Sequence, residues 1–257
     1  MNVSLPGTPQ AFRGVWRRTL YAEPATKSSA TKSSATKSSA NDPYQQADTT
    51  TQVYWLQGKH WHADLRLPTD SPDFAGITGL HDCNRRQLEW LAGLTAFAGI
   101  TQIEGEQCVW HRYQDLCPSL ERDVGLLRWI DSGTLEERHP NGRYVEHWVK
   151  HRQQLANAAV EEVIQIDEQG YLRWLQIGDH AIAITPRTLP ANPDTLFTPV
   201  SGLTDDALRW RASLCFDHLQ HSKNGWQIKL STQPWRVGLV HDGATSLLAQ
   251  TCSSLHS

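Results

Sequence analysis

Side chains able to bind or react are gathered in two short runs of this 257-residue sequence, "HWHADLRLP" at 60–68 and "CVWHRYQDLCP" at 108–118. Side chains on a strand alternate between two faces. In the first run His60, His62, Asp64 and Arg66 therefore share one side, and Trp61, Ala63, Leu65 and Leu67 the other. If the polar side faces inward, His62, Asp64 and Arg66 anchor a ligand; if it faces outward, the row is a solvated surface. In the second run His111, Tyr113 and Asp115 alternate with Trp110, Arg112 and Gln114. His111 and Asp115 lie about 13 Å apart along a strand, a spacing suited to two ends of one ligand or to two different neighbouring strands. A third run, "YVEHWV", sets Glu146 and Trp148 on a common face. A buried Glu146 needs a cationic or donor partner, with Arg66 and Arg18 the candidates. The candidate ligand-binding set is His62, Asp64, Arg66, His111, Asp115, Glu146 and Trp148.

Catalytic signatures are largely missing. The sequence has no HExxH pair, no GxSxG elbow, no phosphate-binding glycine loop and no paired CxxC. His62 or His111 with Asp64 or Asp115 offers an alternative, acid–base chemistry on a small molecule. His60 and His62, separated by one residue, could face a metal together with Asp64, but such spacing arises easily by chance and no metal ligand set is assigned. No cofactor is assigned either.

The formal charge of −3, from 24 basic and 27 acidic residues without a basic block, removes the electrostatic basis for nucleic-acid binding. The first residues form no signal-peptide pattern, and no segment reaches the length of a membrane span. Five cysteines without CxxC spacing suit reduced thiols. The expected setting is the cytoplasm, with neither membrane nor nucleic acid as partner; the oligomeric state stays open.

The elements that must position these residues are mostly strands. Turn signals at Gln57-Gly58-Lys59, Asn141-Gly142, Asp167–Gly170, Gly178-Asp179 and Asn224-Gly225 separate β-rich runs, as in a meander of hairpins. "NRRQLEWLAGLTAFAG", 84–99, has helical spacing, with Asn84 and Gln87 in the pattern of a capping box. "KHRQQLANAAVEEV" offers a second, shorter helix. The three "ATKSS" copies at 25–39 predict a flexible insert spanning 22–50, between a first strand at 12–21 and a second at 51–56, and residues 242–257 predict a loose tail. Eleven tryptophans either fill a wide core or wall a ligand cavity. The fold class predicted for residues 1–257 is mainly β: one antiparallel up-and-down barrel carrying one or two short helices.

Gly14-Val15-Trp16 resembles the Gly-x-Trp opening of the calycin superfamily of lipocalins, fatty-acid-binding proteins and nitrobindin-like barrels, and "STQPWRVG" supplies Arg236 near the end of the chain. "FRGVWRR", "VYWLQ", "ADLRLP" and "YVEHW" are also similar to phrases of uncharacterised bacterial calycin-like proteins. The resemblance implies a barrel closed by Trp16 packed on Arg236, with Gly14, Trp16 and Arg236 structural. It implies a lumen that binds a small, partly apolar molecule; heme is a further option through the nitrobindin likeness, with no axial histidine selected. An enzyme of the His/Asp kind and a solidly packed interaction module are the alternatives.

Overall fold

The computed structural model describes residues 5–24, 44–151 and 161–244. The ATKSS repeat, most of the 150s segment and most of the C-terminal tail lie outside the described residues. Strands β1 (Gly14–Pro24), β2 (Tyr44–Asp48), β3 (Gln52–Gln57), β4 (Trp61–Leu67), β5 (Thr95–Glu104), β6 (Gln107–Asp115), β7 (Asp123–Asp131), β8 (Thr134–Arg138) and β9 (Val145–Lys150) form one antiparallel sheet. β1 and β3 to β9 follow one another in sequence order, and β9 pairs back onto β1, which closes an eight-stranded up-and-down barrel. Closure leaves these strands without a free edge. β2 takes the place of β3 beside the far half of β1, so residues 22–24 and 44–48, inside the expected loop, are paired strand.

Beside the expected barrel stands a second sheet, an antiparallel meander of β10 (Glu162–Ile166), β11 (Leu172–Ile177), β12 (His180–Thr185), β13 (Cys215–Ser222), β14 (Gly225–Ser231) and β15 (Val240–His241). Two helices, α1 (Arg85–Ala92) and α2 (Asp205–Ala212), pack on each other. The arrangement strand, strand, helix, strand, strand thus occurs twice, as β3-β4-α1-β5-β6 and as β11-β12-α2-β13-β14. Trp55-Leu56-Gln57 answers Trp174-Leu175-Gln176, and Leu88-x-Trp90 answers Leu208-x-Trp210. The second sheet is an open counterpart of half the barrel.

The capping box of α1 is present: the Asn84 side chain accepts from the Gln87 backbone, and Gln87 answers the Asn84 backbone N–H. The helix is half as long as its spacing suggests. It stops at Gly93, and Thr95 to Glu104 form β5, where Thr95, Phe97 and Ile100 suit a pleated surface better than a helix.

The main core sits between the barrel wall, the two helices and the second sheet. Leu56, Ala63, Leu65, Ala98 and Ile100 from the barrel meet Leu88 and Leu91 of α1, Leu208 of α2, and Leu175, Ile177, Ile182 and Ile184 of the second sheet. Each fully buried leucine or isoleucine stabilises the fold by about 1.5–3 kcal/mol. This core decides the orientation of β4. Its apolar row faces helices and sheet, so His62, Asp64 and Arg66 turn into the lumen.

The same interface holds a buried ring cluster. His218 stacks on Tyr54 of the barrel with centroids 4.1 Å apart, His180 Nδ1 lies 2.9 Å from His218 Nε2, and the His151 ring stands 4.6 Å from that of His180. Burial first, then His151 for His180, and His180 and His151 for His218, push the pKa of His180 down to about 4 and of His218 to about 3. Asp179, 3.8 Å from His180 Nε2, is the acidic neighbour.

The floor of the barrel differs from the calycin expectation. The Gln10–Phe12 turn covers it, Trp16 Nε1 donates to the Phe12 carbonyl at 2.7 Å, and Trp16 stacks on Trp55. The cation beside Trp16 is Lys150, with Nζ 5.0 Å from the ring centre. Arg236 lies in a turn of the second sheet and holds Asp217 at 2.6 Å. β9 ends next to β1 and supplies the floor cation itself, whereas "STQPWRVG" closes the other sheet.

Trp16→Ala should destabilise by about 3–5 kcal/mol in chemical denaturation. Lys150→Met should couple to it by about 0.5–1 kcal/mol in a double-mutant cycle, and Arg236→Ala should be additive with it. His180 and His218 titrate below their ordinary value of 6.5 when folded, so their contribution to stability is present above that value and is lost as pH falls toward about 4 and then 3. His218→Phe, which keeps the stack on Tyr54, should lose less stability between neutral and acid pH than the parent protein does; equal losses would place the acid sensitivity elsewhere.

Candidate functional site

Eight strands send alternate side chains into the lumen, and these sort into layers. At the bottom, below the tryptophans, lies a neutral polar chain. Thr101 Oγ1 donates to Gln57 Oε1 at 2.7 Å, so the His62 Nδ1–H, 2.9 Å away, donates to the Thr101 hydroxyl. Burial, with Arg112 and His111 nearby, holds the His62 pKa well below its ordinary value and keeps the ring neutral. Above this layer Trp55 meets Trp110 and Trp148 edge-on at 5.9 and 5.5 Å.

The upper layer is ionic. Arg66 bonds Asp64 at 2.8 Å and Glu146 at 3.1 Å, and Arg18 bonds Glu146 and Asp48, each at 2.8 Å. Arg112 bonds Asp123 at 2.6 Å and Asp115 at 3.1 Å, with its guanidinium 3.5 Å from the centre of the Phe97 ring. Both partners expected of Glu146, Arg18 and Arg66, are engaged. Glu137, only 4% exposed, is different: it accepts from Tyr144 Oη at 2.9 Å and Trp148 Nε1 at 3.0 Å, and among the described residues no cation is bonded to it. Burial, then the charges of Glu146 and Asp123, raise its pKa well above the usual carboxylate range. Burial likewise raises that of Asp64, opposed by Arg66.

Two local irregularities make room for this layer. Between Ala98 and Gly99 the β5–β6 register shifts. A Cβ on Gly99 would stand 1.8 Å from the His111 carbonyl oxygen, so only glycine permits the approach. The bulge at Tyr113 reverses the alternation of β6: Trp110 and Arg112 point inward, Asp115 also points inward, and His111 and Tyr113 do not share its face. On β7, a Cβ at Gly125 would meet Glu137 and Trp110 within 3.0 Å. Its absence is what seats that carboxylate and that indole side by side.

The layers enclose a cavity of about 240 Å³, walled by Tyr21, Trp55, Phe97, Trp110, Tyr144 and Trp148 and carrying Asp64, Arg66, Arg112, Asp123, Glu137 and Glu146. β6 and β7 pair only from Gln107 to Trp110 against Asp123 to Leu126, and beyond Trp110 the strands separate. Arg112 spans the gap to Asp123. A wider outer cavity of about 910 Å³ opens there and shares Tyr21, Trp110, Arg112, Asp123 and Tyr144 with the inner one.

Of the seven candidate binding residues, Asp64, Arg66, Glu146 and Trp148 line the inner cavity. His62 lies in the lumen below it, and Asp115 is bound to Arg112 and to the Cys117 backbone N–H at 2.9 Å. His111 lines the outer cavity and contacts Gln102 at 3.3 Å. The His/Asp pairings required for acid–base chemistry are not made, because Thr101 and Gln102 bond the histidines while arginines hold the aspartates. Glu137, Asp123, Tyr144 and Arg112 were not singled out from the sequence. In "TLEERH" Glu136 and Glu137 adjoin, one facing Arg128 and Arg138 outside, the other facing the lumen. Two neighbouring charges conceal an alternation that the flanking Leu135 would otherwise reveal. Among the described residues no group of three or more His, Cys, Asp or Glu is arranged to hold a metal ion, and no helix is long and apolar enough to cross a membrane.

Asp64→Ala should cost about 3–5 kcal/mol in chemical denaturation, because it leaves a lumenal guanidinium short of a partner. Arg128→Ala, which removes an exposed guanidinium from Glu136 while Arg138 still holds that carboxylate, should cost at most about 1 kcal/mol. Equal small losses would show that the lumenal pairs are solvated.

Compared with family models, with curated proteins and with solved structures, the chain finds no match.

Proposed function

We propose that this protein binds a small, partly apolar molecule in the lumen of its eight-stranded barrel, in the manner of calycin-like carriers, and does not transform it. The observation that carries the reading is the walled inner cavity beneath an open mouth: six aromatic rings supply contact area and the fixed ionic layer supplies orientation. Small-molecule sites combine such a wall with a few placed polar groups. The inner volume, about 240 Å³, is below the usual range of drug-sized pockets, about 300–1,000 Å³, which favours a compact ligand over a long acyl chain. Asp64, Arg66, Glu146 and Trp148 are the proposed contacts, joined by Glu137, Tyr144, Phe97 and Trp110; His111 would meet a ligand on its way in. The unpaired thiols of Cys83, Cys108, Cys117 and Cys215 suit a reducing, cytoplasmic setting.

Two measurements test the reading. Native mass spectrometry of freshly purified protein should show a retained small molecule or an empty lumen that can be filled. Tryptophan fluorescence should then be quenched saturably by compact aromatic compounds and not by long-chain fatty acids. Absence of saturable binding across a panel of cationic, neutral and anionic aryl compounds would favour the packed interaction module instead.

A further inference from the structure

Resting on the lumen as the ligand site, we propose that the molecule it takes is an organic cation, an amine or quaternary ammonium carried on a small apolar body, received by Glu137 among the rings of Trp110, Tyr144 and Trp148. Charge pairing in the lumen is complete at the arginines and unmet at Glu137. Each lumenal arginine is already bonded to two carboxylates: Arg18 to Asp48 and Glu146, Arg66 to Asp64 and Glu146, Arg112 to Asp115 and Asp123. An anionic ligand would have to displace one of these carboxylates, and the displaced group would stay buried nearby with its charge uncompensated.

Glu137 is in the opposite position. Its two oxygens accept from a phenol and an indole, both neutral donors, and it lines the cavity directly. Those donors fix the carboxyl group in place; burial raises its pKa, opposed by Arg66, and a cation entering beside it supplies the charge that stabilises its ionised form. The rings that hold Glu137 also line the cavity, and a desolvated cation near an indole or phenol ring is favoured by the ring quadrupole. The absent side chain at Gly125, where a Cβ would come within 3.0 Å of Glu137 and Trp110, keeps carboxylate and indole adjacent. A neutral ligand would use the rings and leave the carboxylate unanswered; a cation answers both.

The test is a charge series of nearly equal shape, 2-phenylethylammonium, 2-phenylethanol and 3-phenylpropionate, titrated into the unaltered full chain by isothermal calorimetry or tryptophan quenching. The ammonium compound should bind at least about tenfold more tightly than the alcohol, with the carboxylate weakest. Glu137→Gln keeps the shape of the side chain and should weaken the ammonium compound about tenfold or more while leaving the alcohol unchanged. Tighter binding of the alcohol or the carboxylate, or an ammonium affinity indifferent to Glu137→Gln, would overturn the proposal and leave the lumen a ligand site of another class. If none of the three binds, the lumenal reading fails with it.

Discussion

The cost of burying charge inside a closed barrel governs the rest of this structure. A lone guanidinium or carboxylate out of water costs several kcal/mol, and attraction repays that cost only where geometry is good and further hydrogen bonds complete each group. The lumen meets the condition with three arginines, each between two carboxylates, drawn from β1, β2, β4, β6, β7 and β9. Because Arg66 and Arg18 share Glu146, and Arg112 crosses from β6 to β7, the pairs also fix how the strands meet. The bulge at Gly99 and the bare Cα of Gly125 are the local adjustments that bring the groups within reach.

The outer wall supplies what the lumen spends on charge. Leu56, Ala63, Leu65, Ala98 and Ile100 pack on two helices and a second sheet that repeats half of the barrel's plan. This external support lets the inner face of β4 be polar, since its apolar face is already satisfied. A lone barrel of this size would commonly invert the pattern and keep its apolar side within.

The sequence displays the barrel class through its hairpin turns and alternating runs, and the capping box through Asn84 and Gln87. It displays the polar row of β4 but not its direction, because that direction depends on α1, α2 and the second sheet, far away in the chain. His111 and Asp115 share a face by simple alternation, and one bulged residue, Tyr113, separates them. Glu137 is hidden by its neighbour Glu136. Arg236 shows how a motif can mislead: its residue type suits a partner for Trp16, yet Lys150, at the end of the strand that closes the barrel, occupies that place. The repeated strand–helix–strand unit is legible in Trp55-Leu56-Gln57 and Trp174-Leu175-Gln176 only once the two hairpins are seen to correspond.

Entry of a ligand into the lumen, as proposed, can be observed directly. Heteronuclear NMR of the tryptophan indole N–H groups tests it most directly, since indoles line the lumen (Trp55, Trp110, Trp148), the second sheet (Trp174, Trp226) and the surface cavity beside α2 (Trp210, Trp235). Addition of 2-phenylethylammonium should shift the resonances of Trp110 and Trp148 first, with Trp148 reporting through its bond to Glu137, and leave Trp174, Trp226, Trp210 and Trp235 in place. Saturable shifts confined to Trp210 and Trp235, or to Trp174 and Trp226, would contradict entry into the lumen.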